Sequence, residues 1–159
     1  MNLLDKKITL FQTIYQKEEP IIRTVGLALQ RIQKGKSKSI IEDVRAGRSD
    51  KTKLPVVCWS GQFARRADDA LMEHNSLTIL DFDKLEDTLQ VKRQLAEDKY
   101  IAAIWVSPSG NGLKALVPLK FPDKHRDQFN ALINYFNKNY GLNLDVSGKN
   151  ESRACFESY

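Results

Sequence analysis

The chain has 159 residues, 42% of them hydrophobic and 28% charged, and a net charge of +5. These proportions suit one compact core, with or without an added lobe, and argue against disorder. The charge permits a polyanionic partner without requiring one, and the two cysteines, Cys58 and Cys155, form neither a CxxC zinc pattern nor a disulfide framework.

The N-terminal stretch Met1-Asn2-Leu3-Leu4-Asp5 is charged too early for a secretory signal. No stretch is long and apolar enough to span a membrane. A cytoplasmic protein with reduced, buried thiols is expected. Residues 7–15 (KITLFQTIY) are β-branched and aromatic and predict a first strand. Thr24 is placed to cap a helix over 24–34, with Val25, Leu27, Leu29 and Ile32 at helical spacing and Gly35 as the stop. A second helix over 37–46 ends at Gly47, and a charged loop over 48–55 follows. Residues 56–59 predict a short buried strand turned by Ser60-Gly61, and 67–73 predict a helical turn. Residues 1–75 read together as an N-terminal lobe.

From residue 76 the pattern sharpens. A strand over 76–83 is followed by an amphipathic helix over 85–98 and a buried strand over 101–106. The cluster Ser107-Pro108-Ser109-Gly110-Asn111-Gly112 predicts a tight turn into a returning strand over 113–119. A long helix over 124–140 stops at Gly141, and a last strand covers 153–157. The order is that of an α+β split βαβ sheet, the arrangement of RNA-recognition motifs, with its first strand between the third and the fourth. Residues 76–159 would form this half of a single domain.

The first strand of that half ends in Asp81-Phe82-Asp83. Side chains alternate along a strand, so Asp81 and Asp83 share a face, roughly 6–7 Å apart. Two acids crowded beside an apolar run are costly without a cation, and Mg²⁺ or Mn²⁺ suits carboxylate oxygens. A solvated strand exit is the plainer alternative. The topology also brings Asp145, Gly112, Lys114 and Arg153 to the same edge. Asp81, Asp83 and Asp145 would then hold metal, and Lys114 and Arg153 would neutralise phosphates. Gly110 and Gly112 would let backbone approach a phosphate, with Ser109 and Asn111 adding polar contacts to it, although Asn-Gly is equally an ordinary hairpin turn. Asp145 also suits a turn, and Arg153 has Glu157 as a same-face neighbour. His74 and His125 have no ligand spacing and read as structural or solvated. Trp59 and Trp105 read as core. Arg45, Arg48, Lys51, Lys53, Arg65 and Arg66 are scattered over the lobe, as a nucleic-acid path or as ordinary surface.

On Asp81-Phe82-Asp83, the segment from Ser107 to Lys114, Asp145 with Arg153, and the upstream stretch from Leu54 to Phe63, the chain resembles the archaeo-eukaryotic primase superfamily. Within it, the VirE N-terminal-like branch of bacterial and phage mobile elements is the most similar. The resemblance implies a metal-dependent nucleotidyltransferase acting in replication of a mobile element. Its partners would be a single-stranded DNA template, nucleoside triphosphates and a helicase module in the same or a neighbouring chain, with this domain part of a longer protein. Lys114 stands where that superfamily carries a histidine. The competing readings are an inactive nucleic-acid or nucleotide-binding module of the same fold, and a haloacid-dehalogenase-like phosphatase.

Overall fold

A computed structural model describes residues 2–159. In chain order the strands are β1 (Lys7–Phe11), β2 (Ile21–Thr24), β3 (Val56–Cys58), β4 (Gly61–Phe63), β5 (Leu71–His74), β6 (Leu77–Phe82), β7 (Ala103–Val106), β8 (Leu113–Pro118) and β9 (Ala154–Phe156). The helices are α1 (Val25–Gln33), α2 (Lys38–Arg45), α3 (Thr88–Ala96) and α4 (His125–Tyr140). The fold is α+β, and every sheet in it is antiparallel: β2-β1-β3-β9, the ribbon β4-β5, and β6-β8-β7.

Local chemistry accounts for where these elements begin and end. Thr24 caps α1 by accepting the Leu27 N–H, and Asp87 caps α3 by accepting that of Gln90. The first strand stops at Phe11, short of the expected 7–15. Beyond it the Gln12 N–H turns to the Gln16 side chain and the Gln16 N–H to the Thr13 hydroxyl, which folds the backbone out of the ladder. The helical turn expected over 67–73 is confined to the 3₁₀ turn Asp68–Ala70, and β5 follows it. Gly61 makes that ribbon close: a Cβ there would stand 2.1 Å from the Glu73 carbonyl oxygen.

Two cores flank the three-stranded sheet. On one face Leu77 and Ile79 of β6, Trp105 of β7 and Leu116 of β8 pack with Ile8, Val57 and Cys155 of the first sheet, with Trp59 just after β3, and with α1. The Trp59 and Trp105 rings meet there, 5.3 Å between centroids. On the other face Leu80 and Phe82 of β6 and Leu113, Ala115 and Val117 of β8 pack with Phe129, Leu132 and Phe136 of α4. Each strand therefore reads by alternation. Residues 77, 79 and 81 face the first sheet, and 80 and 82 face the helices.

The pairings β6–β8 and β8–β7 are those expected, but the split βαβ sheet is not completed. The last strand does not join β6. Instead β9 pairs with β3, Cys155 opposite Val57, and extends the first sheet. The place beside β6 is taken by a 3₁₀ turn, Val146–Lys149, tied by one bond from the Asp145 N–H to the Asp81 carbonyl. The turn fits because its Gly148 has no side chain: a Cβ there would lie 2.5 Å from the Phe129 ring. No helix among the described residues is long and apolar enough to cross a membrane.

Candidate metal and phosphate site

The sheet alternation carries β6 from Leu77 and Ile79 to Asp81, at the rim of the core shared by the two sheets. Its register partner across the ladder is Lys114. Lys114 is 6% exposed, and its ammonium donates to Asp81 Oδ2 at 2.5 Å. Burial works against that charge, yet neighbouring Cys155 and Asp81 outweigh it and the lysine pKa is raised. Because burial also holds the Cys155 thiol protonated, the Asp81 carboxylate is the operative partner. Asp81 Oδ1 is buried and has no hydrogen-bond partner.

Asp83 lies just past the strand end and is exposed. Asp145 arrives on the 3₁₀ turn and caps it, Oδ1 accepting the Ser147 N–H at 2.9 Å. Arg153 donates to Asp145 Oδ2 at 2.8 Å and stands 3.7 Å from Asp81 Oδ2. Glu157, the alternative partner of Arg153, is instead taken by Arg31 at 2.6 Å. One oxygen each from Asp81, Asp83 and Asp145 lies within 4.8 Å of the other two. That spacing suits a single divalent ion with oxygen ligands at roughly 2.0–2.6 Å.

The acids sit in a cavity of about 530 Å³. Ser109, Lys114 and Arg153 also line it, whereas Gly110, Asn111 and Gly112 do not. Gly110 takes φ 84° beside the Arg45 side chain. Asn111 accepts from the Ser109 hydroxyl and, through its carbonyl, from the Leu85 N–H. Gly112 is buried where a Cβ would stand 2.6 Å from the Phe82 carbonyl and 3.4 Å from Asp83 Oδ1. Their geometry is that of a turn that seats β8 against the strand end carrying the acids.

Residues from the N-terminal lobe complete the wall. Lys51, Arg66 and Ile14 line the cavity with Ser147 and Phe156. A histidine pair also braces the site. The Ser76 N–H donates to His74 Nδ1, which leaves the His74 proton on Nε2 to donate to His125 Nδ1 at 3.0 Å. His125 Nε2–H then donates to the Gly148 carbonyl in the turn that carries Asp145. Burial, and then repulsion between the two imidazoles, lowers the His74 pKa to about 4, so His74 is uncharged at neutral pH.

Asp83 and Asp145 are shifted in opposite directions. The Asp145 pKa is lowered: burial opposes its charge, but the Ser147 hydrogen bonds and the Arg153 and Lys114 charges prevail. The Asp83 pKa is raised, first by burial and then by the Asp81 charge. An acid whose pKa is higher in the folded than in the unfolded chain costs stability once ionised, and nothing below its unfolded pKa near about 3.9. Asp83→Asn is therefore expected to raise the melting temperature by ~1–2 °C at pH 7, a modest gain because the residue is exposed. The gain should fade below about pH 4. Thermal melts from pH 3 to 8 check it, and a variant less stable than wild type at pH 7 would contradict it.

Neither the curated proteins nor the solved structures give a match to this chain. One family model matches, that of the BT4734-like N-terminal domain, over residues 49–159. It overturns the assignment to the primase superfamily and its VirE-like branch, which nothing in the match indicates. The motifs behind that assignment were local. A D-x-D at a strand end and a Gly-rich turn each have structural uses, visible here in the Asp81–Lys114 ion pair and the seat of β8. The matched stretch holds every cavity-lining residue except Ile14, and over it the chain belongs to the family of BT4734-like N-terminal domains.

Proposed function

We propose that the cavity binds a divalent cation, Mg²⁺ or Mn²⁺, together with a nucleoside triphosphate, and that the domain is a metal-dependent nucleotidyltransferase working on a single-stranded DNA template. One observation carries the reading. Three carboxylates from two segments far apart in the chain converge within 4.8 Å, and one of their oxygens is buried without a partner. Asp81, Asp83 and Asp145 would hold the ion, which when bound would polarise a phosphoryl oxygen and neutralise charge building on it. Lys114 fixes Asp81 from within the sheet, and Arg153 fixes Asp145 while its guanidinium remains at the cavity wall. Counting only the two cations paired with them, the three carboxylates keep one negative charge, where the ion would sit.

The Lys114–Asp81 pair also supports a second reading. An ammonium already seated on the central carboxylate does part of a metal's electrostatic work, as it would in a module that binds nucleotides without transferring them. Titration with Mn²⁺, with and without nucleotide, tests the site. Wild type is expected to bind both. Asp83→Asn and Asp145→Asn should each weaken Mn²⁺ by at least the roughly 10–100-fold that loss of a ligand's supporting hydrogen bond already costs. Unchanged Mn²⁺ binding in both variants would overturn the metal site. Template-dependent primer extension that is lost in the same variants separates the enzyme from the binding module.

A further inference from the structure

We infer that Lys51 and Arg66 of the N-terminal lobe form the phosphate-binding wall of the cavity, with a polyphosphate chain as the ligand they grip. The inference deepens the nucleotide reading above and rests on it for the identity of the metal-bound substrate. It begins from the state of the four cations that line the cavity. Lys114 and Arg153 are spent on the acids, at 2.5 and 2.8 Å from carboxylate oxygens. Among the described residues neither Lys51 nor Arg66 forms an ion pair.

Arg66 is half-buried, held through one terminal N–H to the Ile14 carbonyl, and its Nε is buried with no partner. A guanidinium carries five N–H donors; with one given to Ile14 and that on Nε buried, the remaining terminal N–H groups are left for a ligand. Lys51 is exposed, its ammonium 5.4 Å from the centroid of the Phe156 ring. Ser147, in the turn that Asp145 caps, also lines the cavity, and its hydroxyl is buried without a partner.

Charge accounting gives the ligand class. Lys51, Arg66, Lys114 and Arg153 against Asp81, Asp83 and Asp145 make the wall +1. A divalent ion on the acids raises it to +3. That suits a di- or triphosphate, whose oxygens reach the ion at one end and a guanidinium fork at the other. A single phosphate or a carboxylate would leave much of this charge uncompensated. Nucleoside triphosphate and pyrophosphate share the chemistry.

Calorimetric titration of the full chain tests the inference, with inorganic tripolyphosphate and with ATP as probes, each in chelator and with Mn²⁺. Lys51→Ala and Arg66→Gln are each expected to weaken tripolyphosphate about 5–20-fold, the scale of one charge-assisted contact. ATP should weaken by a similar factor, and Mn²⁺ alone should bind as to wild type. Arg66→Lys keeps the charge without the fork and should fall between the two, which guards against a variant that only loosens the fold. Tripolyphosphate affinity within twofold of wild type in both Lys51→Ala and Arg66→Gln overturns the proposal. So does a loss seen with ATP alone, since the pair would then read base or sugar. If wild type fails to bind Mn²⁺ while tripolyphosphate still depends on Lys51 and Arg66, the metal reading falls and the phosphate wall stands.

Discussion

Replacing Asp81 with alanine is expected to cost about 3–5 kcal/mol of folding stability, the range for stranding one member of a buried ion pair. For a chain of this size that is a fall of roughly 6–20 °C in melting temperature. The reason is Lys114. Its side chain is almost wholly enclosed, and Asp81 is its ion-pair partner. Arg153 has the same sign and works against the lysine, and Asp83 and Asp145, which also feel the lysine charge, make no ion pair with it. The raised lysine pKa gives the sign of the pH dependence. While Asp81 is ionised, the lysine's contribution is complete below its unfolded value of about 10.4 and is lost as pH rises through the higher folded value. It is therefore at full strength at neutral pH. The double variant Asp81→Ala/Lys114→Met is expected to recover most of the loss, since methionine fills a similar volume without a charge. Denaturant and thermal unfolding of the three proteins check this. A loss below about 1 kcal/mol in Asp81→Ala would mean that Lys114 reaches water once released. The result bears on function too. Loss of metal binding in an Asp81 variant would be entangled with loss of fold, so Asp83 and Asp145 are the sounder probes.

How much of this was legible in advance follows from the range over which each feature is encoded. Alternation along residues 77–82 assigns Leu77, Ile79 and Asp81 to one face and Leu80 and Phe82 to the other, and the two cores lie accordingly. The turn at Gly110 to Gly112 made the β8 hairpin readable, and with it the Asp81–Lys114 register. The last strand was misplaced because Ala154–Phe156 is too short to declare a partner. Its position depends on distant contacts: Cys155 in the core between the sheets, and Glu157 held by Arg31 of α1. The acids nevertheless meet, because the Asp145 N–H reaches the Asp81 carbonyl through a turn rather than a strand. Lys51 and Arg66 are two among the lobe's many similar cations, and only the folding of the lobe over the cavity distinguishes them. The histidine pair was invisible for the same reason. His74 and His125 are brought together by β5 and the start of α4, not by any local spacing.

Phe82→Ala is expected to lower stability by about 3–5 kcal/mol, comparable to the loss of Asp81 but by a different route. Phe82, the last residue of β6, lies between Asp81 and Asp83 and faces the opposite way from Asp81. It is fully buried, and its ring meets the Phe136 ring edge to face, 5.4 Å between centroids. Truncation opens a cavity between β6 and α4. Phe82→Leu leaves most of that volume filled and should cost about 1–2 kcal/mol. The pair of variants separates two ways in which the acids could be held. If the β6–β8 ladder and the close approach of Gly112 to the Phe82 carbonyl position them, Phe82→Leu should bind Mn²⁺ within about threefold of wild type, because neither depends on the ring. If the ring is the anchor, Mn²⁺ affinity should fall in step with stability through both variants. The first outcome is expected. Backbone pairing continues through Phe82 and Leu113 to the last residue before Asp83, so the strand end is fixed by hydrogen bonds on the very residue whose side chain is cut. Metal titration of the leucine variant, at a temperature where it remains folded, distinguishes the two.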